Sequence, residues 1–263
     1  MLKSEITKIV RRKQFLIIFN VLMISVMLDF VVTCIQYYGI GLSWIRAAYD
    51  STILHNSVPL FTKQLYTTLF PLIASIIASD VYCMEQQLGI SSFIETRTSK
   101  CRNRKMKIIS VGLVSFLTIF IPLMLNFLLT LTAFPIQAHY SSNVTYLTLS
   151  DPQEGRILGY LEQFYPYINM FCFILIRSFI GMSMAIFALA LSFMNRLNRY
   201  LILFSPMIFY TLYVSATQLF QSEFIRTSIF GINTYGSIWA IWLYIFINLL
   251  LSFIFTIIGN REG

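Results

Sequence analysis

The sequence predicts an all-α fold: a polytopic membrane protein with six transmembrane helices and an N-terminal amphipathic helix at the membrane interface. Hydrophobic residues make up 57% of the 263 residues and charged residues only 11%, against roughly 25% charged residues in a soluble domain. The apolar residues gather in continuous runs that are long enough to cross a hydrocarbon core of about 30 Å as helices. Lysines and arginines are concentrated in alternate loops, as expected for a chain that crosses the bilayer repeatedly.

The first element is a short helix within residues 1–13. Apolar Leu2, Ile6, Ile9 and Val10 recur at helical spacing opposite a charged face, which is typical of a helix lying in the interface. The charged residues that we assign to this interfacial helix are Lys3, Glu5, Arg11 and Arg12. A positively charged flank of the first span is the alternative interpretation.

Six apolar segments follow, and we expect each of them to span the membrane. Within hydrocarbon a helix satisfies its own backbone hydrogen bonds, and these continuous runs lack the alternation of barrel strands. The predicted spans are about 15–37, 64–83, 108–134, 167–194, 201–218 and 238–258. Because only short loops remain between them, residues 1–263 are predicted to form a single transmembrane domain.

The basic residues predict the orientation of the spans. Of the 19 lysines and arginines, 14 fall at the N-terminus, between spans two and three, between spans four and five, and at the C-terminus. Positively charged loops tend to stay in the cytoplasm, so we expect a multi-pass protein of the cell membrane with both termini cytoplasmic. The net charge of +8 then reflects topology and contact with anionic membrane lipid, and we expect no nucleic-acid partner.

The sequence motifs argue against an enzyme. The sequence has no GxxxxGK[ST] phosphate-binding loop, no HExxH motif, and no histidine inside a predicted span. The usual residues for ATP hydrolysis or zinc chemistry are therefore missing. We therefore expect no catalytic residue, no metal site and no cofactor bound by this chain.

Two charged residues fall inside predicted spans, Asp29 in the first and Arg177 in the fourth. An intramembrane charge is costly and is by default a functional-site hypothesis. Mutual pairing, a water-facing position and contact with a transported substrate all remain open for these two residues. Asp80 lies near the inner end of span two, from which it reaches the interface more easily.

The segment between spans two and three is polar but retains helical runs that are interrupted at Gly89. A short helix separated from its span by a glycine suits docking on a soluble partner. An ordinary positively charged loop would explain the basic residues but not the regular order of Asp80, Glu85 and Gly89.

In this pattern the chain resembles the permease subunits of ABC-2 type ABC transporters, a family of six-helix exporters. That family starts with a Lys-x-Glu amphipathic helix, has both ends inside, and carries an inner loop of the form Asp-x4-Glu-x3-Gly followed by Arg, Ser and a basic run. The corresponding residues here are Lys3, Glu5, Asp80, Glu85, Gly89, Arg97, Ser99 and Lys105. Thr98 stands where the family often has a proline.

The resemblance implies a permease that moves an amphipathic or hydrophobic substrate, such as a peptide, an antibiotic or a lipid-like molecule, across the cytoplasmic membrane. A separate ABC ATPase subunit would bind ATP and Mg, and a second permease copy or a homologous permease would complete a dimer. The residues implied to couple to the ATPase are Asp80, Glu85, Gly89, Glu95 and Arg97. The alternatives are a non-transporting membrane immunity or scaffold protein that binds a peptide or a membrane partner, and a secondary transporter.

Overall fold

The computed structural model describes residues 2–41, 45–54, 69–87, 99–136, 158, 161, 164–194, 198–219 and 238–261. Every regular element in these residues is an α-helix. The helices, in chain order, are α1 (Leu2–Val10), α2 (Lys13–Tyr37), α3 (Phe70–Gln87), α4 (Lys100–Ala133), α5 (Pro166–Ser192), α6 (Arg199–Leu219) and α7 (Ile238–Arg261).

Five of these helices, α2, α4, α5, α6 and α7, are long and apolar enough to cross a membrane. Their bounds lie close to the predicted spans, with one clear difference at the start of α4. That helix begins at Lys100, whereas the predicted span begins at 108, and it includes most of the basic run before the apolar segment. Charged residues end the hydrophobic stretch but do not end a helix, since Lys and Arg are good helix formers.

The second predicted span, 64–83, overlaps α3, which is not one of the five. The last two turns of α3 carry Asp80, Glu85 and two glutamines, which lower its apolar content. Residues 64–68 of the predicted span lie outside the described residues. The assignment of α3 as a membrane span therefore stays a prediction.

The central helix of the bundle is α5, which contacts α3, α4, α6 and α7. Small side chains allow this close packing: at Gly181 a Cβ atom would overlap Ile119 of α4, and the same position faces Phe70 of α3. Near the end of α5, the backbone of Phe193 approaches Gly259 of α7, where a Cβ would lie 2.9 Å from the Phe193 carbonyl oxygen.

The direction of each helix follows from these contacts. Phe120 of α4 meets Phe171 of α5 edge to face, and Gly112 lies opposite Ile186, so α4 and α5 are antiparallel. Phe187 of α5 contacts Phe255 of α7, which together with the contact of Phe193 and Gly259 makes those two helices parallel. The N-terminus of α4 and the C-terminal ends of α3, α5 and α7 thus lie at one end of the bundle. We call it the α1 end because α1 also packs there, against α4.

Two helices, α4 and α6, contain a proline beyond their first turn. In α6 the chain compensates for it locally. Pro206 has no N–H group to donate to the carbonyl oxygen of Ile202 one turn earlier. The hydroxyl of the neighbouring Ser205 donates to that same oxygen at 2.8 Å. A side-chain hydroxyl replacing the missing backbone donor is how membrane helices tolerate proline.

Candidate functional site

At the α1 end, charged side chains from three helices meet. Glu85, near the end of α3, accepts a hydrogen bond from the ammonium of Lys107 in α4 through Oε2. The Nζ atom of Lys8 in α1 lies 3.8 Å from Glu85 Oε1 and 2.7 Å from Glu5 Oε1. These four residues, Glu5, Lys8, Glu85 and Lys107, form what we call the basal charge cluster.

The inner part of the cluster, Glu85 and Lys107, is enclosed by protein, and Lys8 lies at its exposed edge. The Lys107 side chain is 0% exposed and the Glu85 side chain 7% exposed, whereas Lys8 keeps 44% of its side chain exposed. Two carboxylates and two ammonium groups balance one another, which offsets the desolvation cost of burying charge. Because each of α1, α3 and α4 contributes, the cluster links the three helices where α3 leaves the bundle.

A second contact at the α1 end joins Arg104 of α4 to Phe193 at the end of α5, and through Phe193 to α7. The guanidinium carbon of Arg104 lies 5.0 Å from the centre of the Phe193 ring, a cation–π geometry. Arg104 is 3% exposed, and Phe193 is the residue whose backbone lies against Gly259. The basic run that the sequence indicated as a cytoplasmic loop therefore holds packed residues within a helix.

The helix α1 places its two sides in different surroundings. Ile9 is fully buried with Val111 of α4 and Ala185 of α5 in the core, and Ile6 packs against the same cluster. Of the residues assigned to the interfacial helix, Lys3 and Arg11 are exposed, Arg12 is half-buried and Glu5 is buried. The apolar side of α1 thus faces the bundle, and its basic side faces outward.

Both charged residues predicted inside spans are buried in the bundle, Asp29 at 1% exposure and Arg177 at 3%. The side-chain amide of Asn126 in α4 donates to Asp29 Oδ2 at 3.3 Å. Mutual pairing of Asp29 with Arg177, one of the possibilities that the sequence leaves open, remains a hypothesis. Sequence reasoning missed Asn126, although a single amide within the apolar run of α4 was a signal that could have identified it.

The same amide also holds a segment at the end of the bundle opposite α1. Asn126 Oδ1 accepts the backbone N–H of Ile53 at 2.9 Å, and the Ala48 N–H donates to the Pro135 carbonyl at 3.0 Å. Within residues 45–54, all side chains from Ala47 onward except Tyr49 and Asp50 are buried. We call residues 45–54 the end segment; the sequence had predicted this region as part of a loop.

The remaining predicted coupling residues are only partly described. Asp80 lies in α3, but its side chain is outside the described residues, as are Gly89, Glu95 and Arg97 altogether. Among the side chains that the structure does describe, no group of three or more His, Cys, Asp or Glu residues is placed to hold a metal ion.

Five long apolar helices, one of them the central helix α5, with charges gathered at one end, define an α-helical multi-pass membrane protein. No protein-family model, curated protein or solved structure matches the chain. Its function therefore has to be argued from its own residues.

Proposed function

We propose that this chain is the membrane-spanning permease subunit of an ABC transporter. It moves an amphipathic or hydrophobic substrate, such as a peptide, an antibiotic or a lipid-like molecule, across the cell membrane with ATP hydrolysed by a separate subunit. The chain itself has no ATPase site, and ATP and Mg belong to that partner. The observation that carries the proposal is the basal charge cluster, in which Glu85, a residue implied to couple to the ATPase, joins α3 to α1 and α4.

The topology of the proposal has six spans, with α3 and the residues before it forming the second. Both termini and the α1 end are then cytoplasmic, because most lysines and arginines lie on that side. In this orientation α3 ends at Gln87 on the cytoplasmic side, two residues beyond Glu85, and a soluble ATPase subunit reaches this end of the helix. A second copy or a homologous permease completes the transporter.

The basal charge cluster supports a specific route for coupling. Closure of the ATPase on ATP displaces the segment of residues 88–98 and with it the end of α3. Since Glu85 is bound to Lys107 and lies beside Lys8, α4 and α1 follow as one unit instead of bending independently. ATP then shifts the population between inward-facing and outward-facing arrangements of the dimer.

Co-purification tests the proposal most directly. The tagged chain is expressed with its neighbouring genes, extracted in mild detergent, and analysed by mass spectrometry and by ATP hydrolysis. We expect a stoichiometric ATPase subunit that is lost, or uncoupled from transport, in the Glu95→Ala/Arg97→Ala variant. Arg46→Ala, a charge change at the opposite end of the bundle, is the matched control and should retain the subunit.

A chain that purifies without an ATPase in several detergents, and whose 88–98 segment tolerates substitution, would refute the permease proposal. That result would favour a membrane immunity or scaffold protein instead. The same preparation would then be tested for peptide binding with Asp29→Asn, since this buried carboxylate would be the next candidate site.

A further inference from the structure

The outward side of α1 forms a groove with the chemistry of an anion site. It is lined by Lys3, Ser4, Thr7, Lys8 and Arg11 and has a volume of about 500 Å3. Three cationic groups and two hydroxyls line the groove, and no carboxylate is among its lining residues. A phosphate group takes hydrogen bonds from ammonium, guanidinium and hydroxyl donors, and Lys3, Arg11 and Ser4 fit this set. The Thr7 hydroxyl instead donates to the Lys3 carbonyl at 2.8 Å.

The position of the groove favours the phosphate of a lipid over a free phosphate ion. The first membrane helix, α2, starts at Lys13, two residues after Arg11 at the rim of the groove. Its first turns expose Leu16 and Ile17 at 46% and 61%, which provides apolar surface for acyl chains. A phospholipid beside α2 therefore has its headgroup at the depth of the groove, and basic residues close to a membrane surface attract anionic lipids.

One residue of the groove also belongs to the basal charge cluster. The Lys8 ammonium lies 2.7 Å from Glu5 Oε1 and 3.8 Å from Glu85 Oε1, and its side chain is 44% exposed toward the groove. A phosphate in the groove competes with Glu85 for this ammonium. Glu85 keeps its buried partner Lys107, so such competition loosens α1 from α3 without separating α3 from α4.

We propose that the groove on α1 binds the phosphate headgroup of an anionic phospholipid and that this binding draws Lys8 away from Glu85. The membrane composition thereby sets how firmly α1 is joined to the end of α3. The binding site stands on the groove itself; its regulatory consequence for coupling rests on the proposed permease function.

Binding is tested with the full chain in nanodiscs of phosphatidylcholine alone or with one third phosphatidylglycerol, and retained lipid is counted by native mass spectrometry. Each basic residue near a membrane surface contributes about fivefold to the attraction of anionic lipid. We therefore expect the Lys3→Gln/Arg11→Gln variant to lose roughly 25-fold in its preference for phosphatidylglycerol. Lys105→Gln, an exposed lysine of α4 at the same end, should change the preference much less.

Inorganic phosphate identifies the source of the ligand. We expect millimolar phosphate to leave the retained phosphatidylglycerol unchanged, because it lacks acyl chains. Full displacement by phosphate would overturn the lipid assignment. A loss of about fivefold in the Lys105→Gln control, the value expected for any single basic residue near the membrane surface, would show nonspecific charge attraction and overturn the site.

The competition for Lys8 is tested by carbodiimide cross-linking, which joins an amine to an adjacent carboxylate. The yield of the Lys8–Glu85 cross-link, measured by mass spectrometry, should fall severalfold when phosphatidylglycerol is included. The Lys3→Gln/Arg11→Gln variant should lose this dependence on lipid, and a dependence that persists in the variant would refute the competition. Neither readout requires transport or an ATPase, so a chain that binds no ATPase but shows the lipid effect would refute only the permease proposal.

Discussion

The pair of Glu85 and Lys107 makes a quantitative prediction about the stability of the bundle. The two substitutions are Glu85→Gln and Lys107→Met, made singly and together. Both side chains are almost completely buried, at 7% and 0% exposure, and removing one partner of a buried ion pair costs about 3–5 kcal/mol because the other charge stays buried.

Each single variant leaves the remaining charge with other contacts. After Lys107→Met, the Glu85 carboxylate still has the Lys8 ammonium 3.8 Å away, and an ion pair with an exposed partner contributes up to about 1 kcal/mol. After Glu85→Gln, the fully buried Lys107 loses this carboxylate but keeps its other interactions. Both single variants should therefore lie below the upper end of the range.

The double variant removes both charges and leaves neutral side chains of similar size. Replacing a whole buried pair is often close to neutral, so the double variant should be more stable than either single one. Because the double variant loses less than either single variant, the coupling energy in the cycle is larger than the loss in either single variant, which is above about 3 kcal/mol and at or beyond the upper end for residues in direct contact.

The assay is thermal unfolding in detergent, followed by the fluorescence of the three tryptophans. One kcal/mol corresponds to about 2–4 °C for a chain of this size, so the single variants should lose roughly 6–20 °C. Lys105→Met, on the exposed side of the same helix, should stay within about 2 °C of the parent chain. Additive losses in the double variant would refute the reasoning.

Three further substitutions test the packing and the buried hydrogen bonds. Gly259→Ala places a Cβ 2.9 Å from the Phe193 carbonyl oxygen and should cost about 1–3 kcal/mol of stability. Gly112→Ala, whose nearest contact is the flexible end of Ile186 at 3.1 Å, should cost less. Equal losses of stability in thermal unfolding would contradict this. Ser205→Ala removes the donor to the Ile202 carbonyl and should cost about 1 kcal/mol. The Ser205→Ala/Pro206→Ala variant should recover that loss because the backbone N–H returns, and no recovery would argue against the compensation. Asn126→Leu removes the acceptor of the Ile53 N–H and should speed amide exchange of residues 45–54 about tenfold. Thr132→Leu, on the exposed side of α4, should leave this exchange unchanged. Unchanged exchange in Asn126→Leu would show that other contacts hold the end segment.

The sequence predicts the apolar helices well because a membrane span is encoded locally. The run from Phe15 to Tyr37 predicts α2 to within two residues of its start at Lys13, and the fifth span at 201–218 lies within Arg199–Leu219. Hydropathy identifies the residues that lie in the hydrocarbon core, however, and does not identify the residues at which a helix begins or ends. For this reason the extension of α4 back to Lys100 was not predicted. The end of α3 at Gln87 agrees with the helical run that was expected to be interrupted at Gly89.

The basal charge cluster was beyond sequence analysis because its members are far apart in the chain. Glu85 and Lys107 are separated by 22 positions. No local sequence pattern indicates that Lys107, in a run of basic residues, is buried in the bundle. The end segment was missed for a similar reason: its burial depends on the amide of Asn126, 73 positions after Ile53. Asp29 and Arg177, by contrast, were identified as unusual by the cost of charge in an apolar run, and both are buried.

The crowded surroundings of α5 determine which parts of the bundle are able to move. In its most apolar stretch 83% of the residues are buried, compared with 11% in α6 and 28% in α2. A rotation of α5 would require four neighbouring helices to repack together. Among the described residues, α2 and α6 instead keep broad faces exposed. We therefore expect α5 to act as the stationary axis of the protein, and any working motion to be carried by the helices at its periphery.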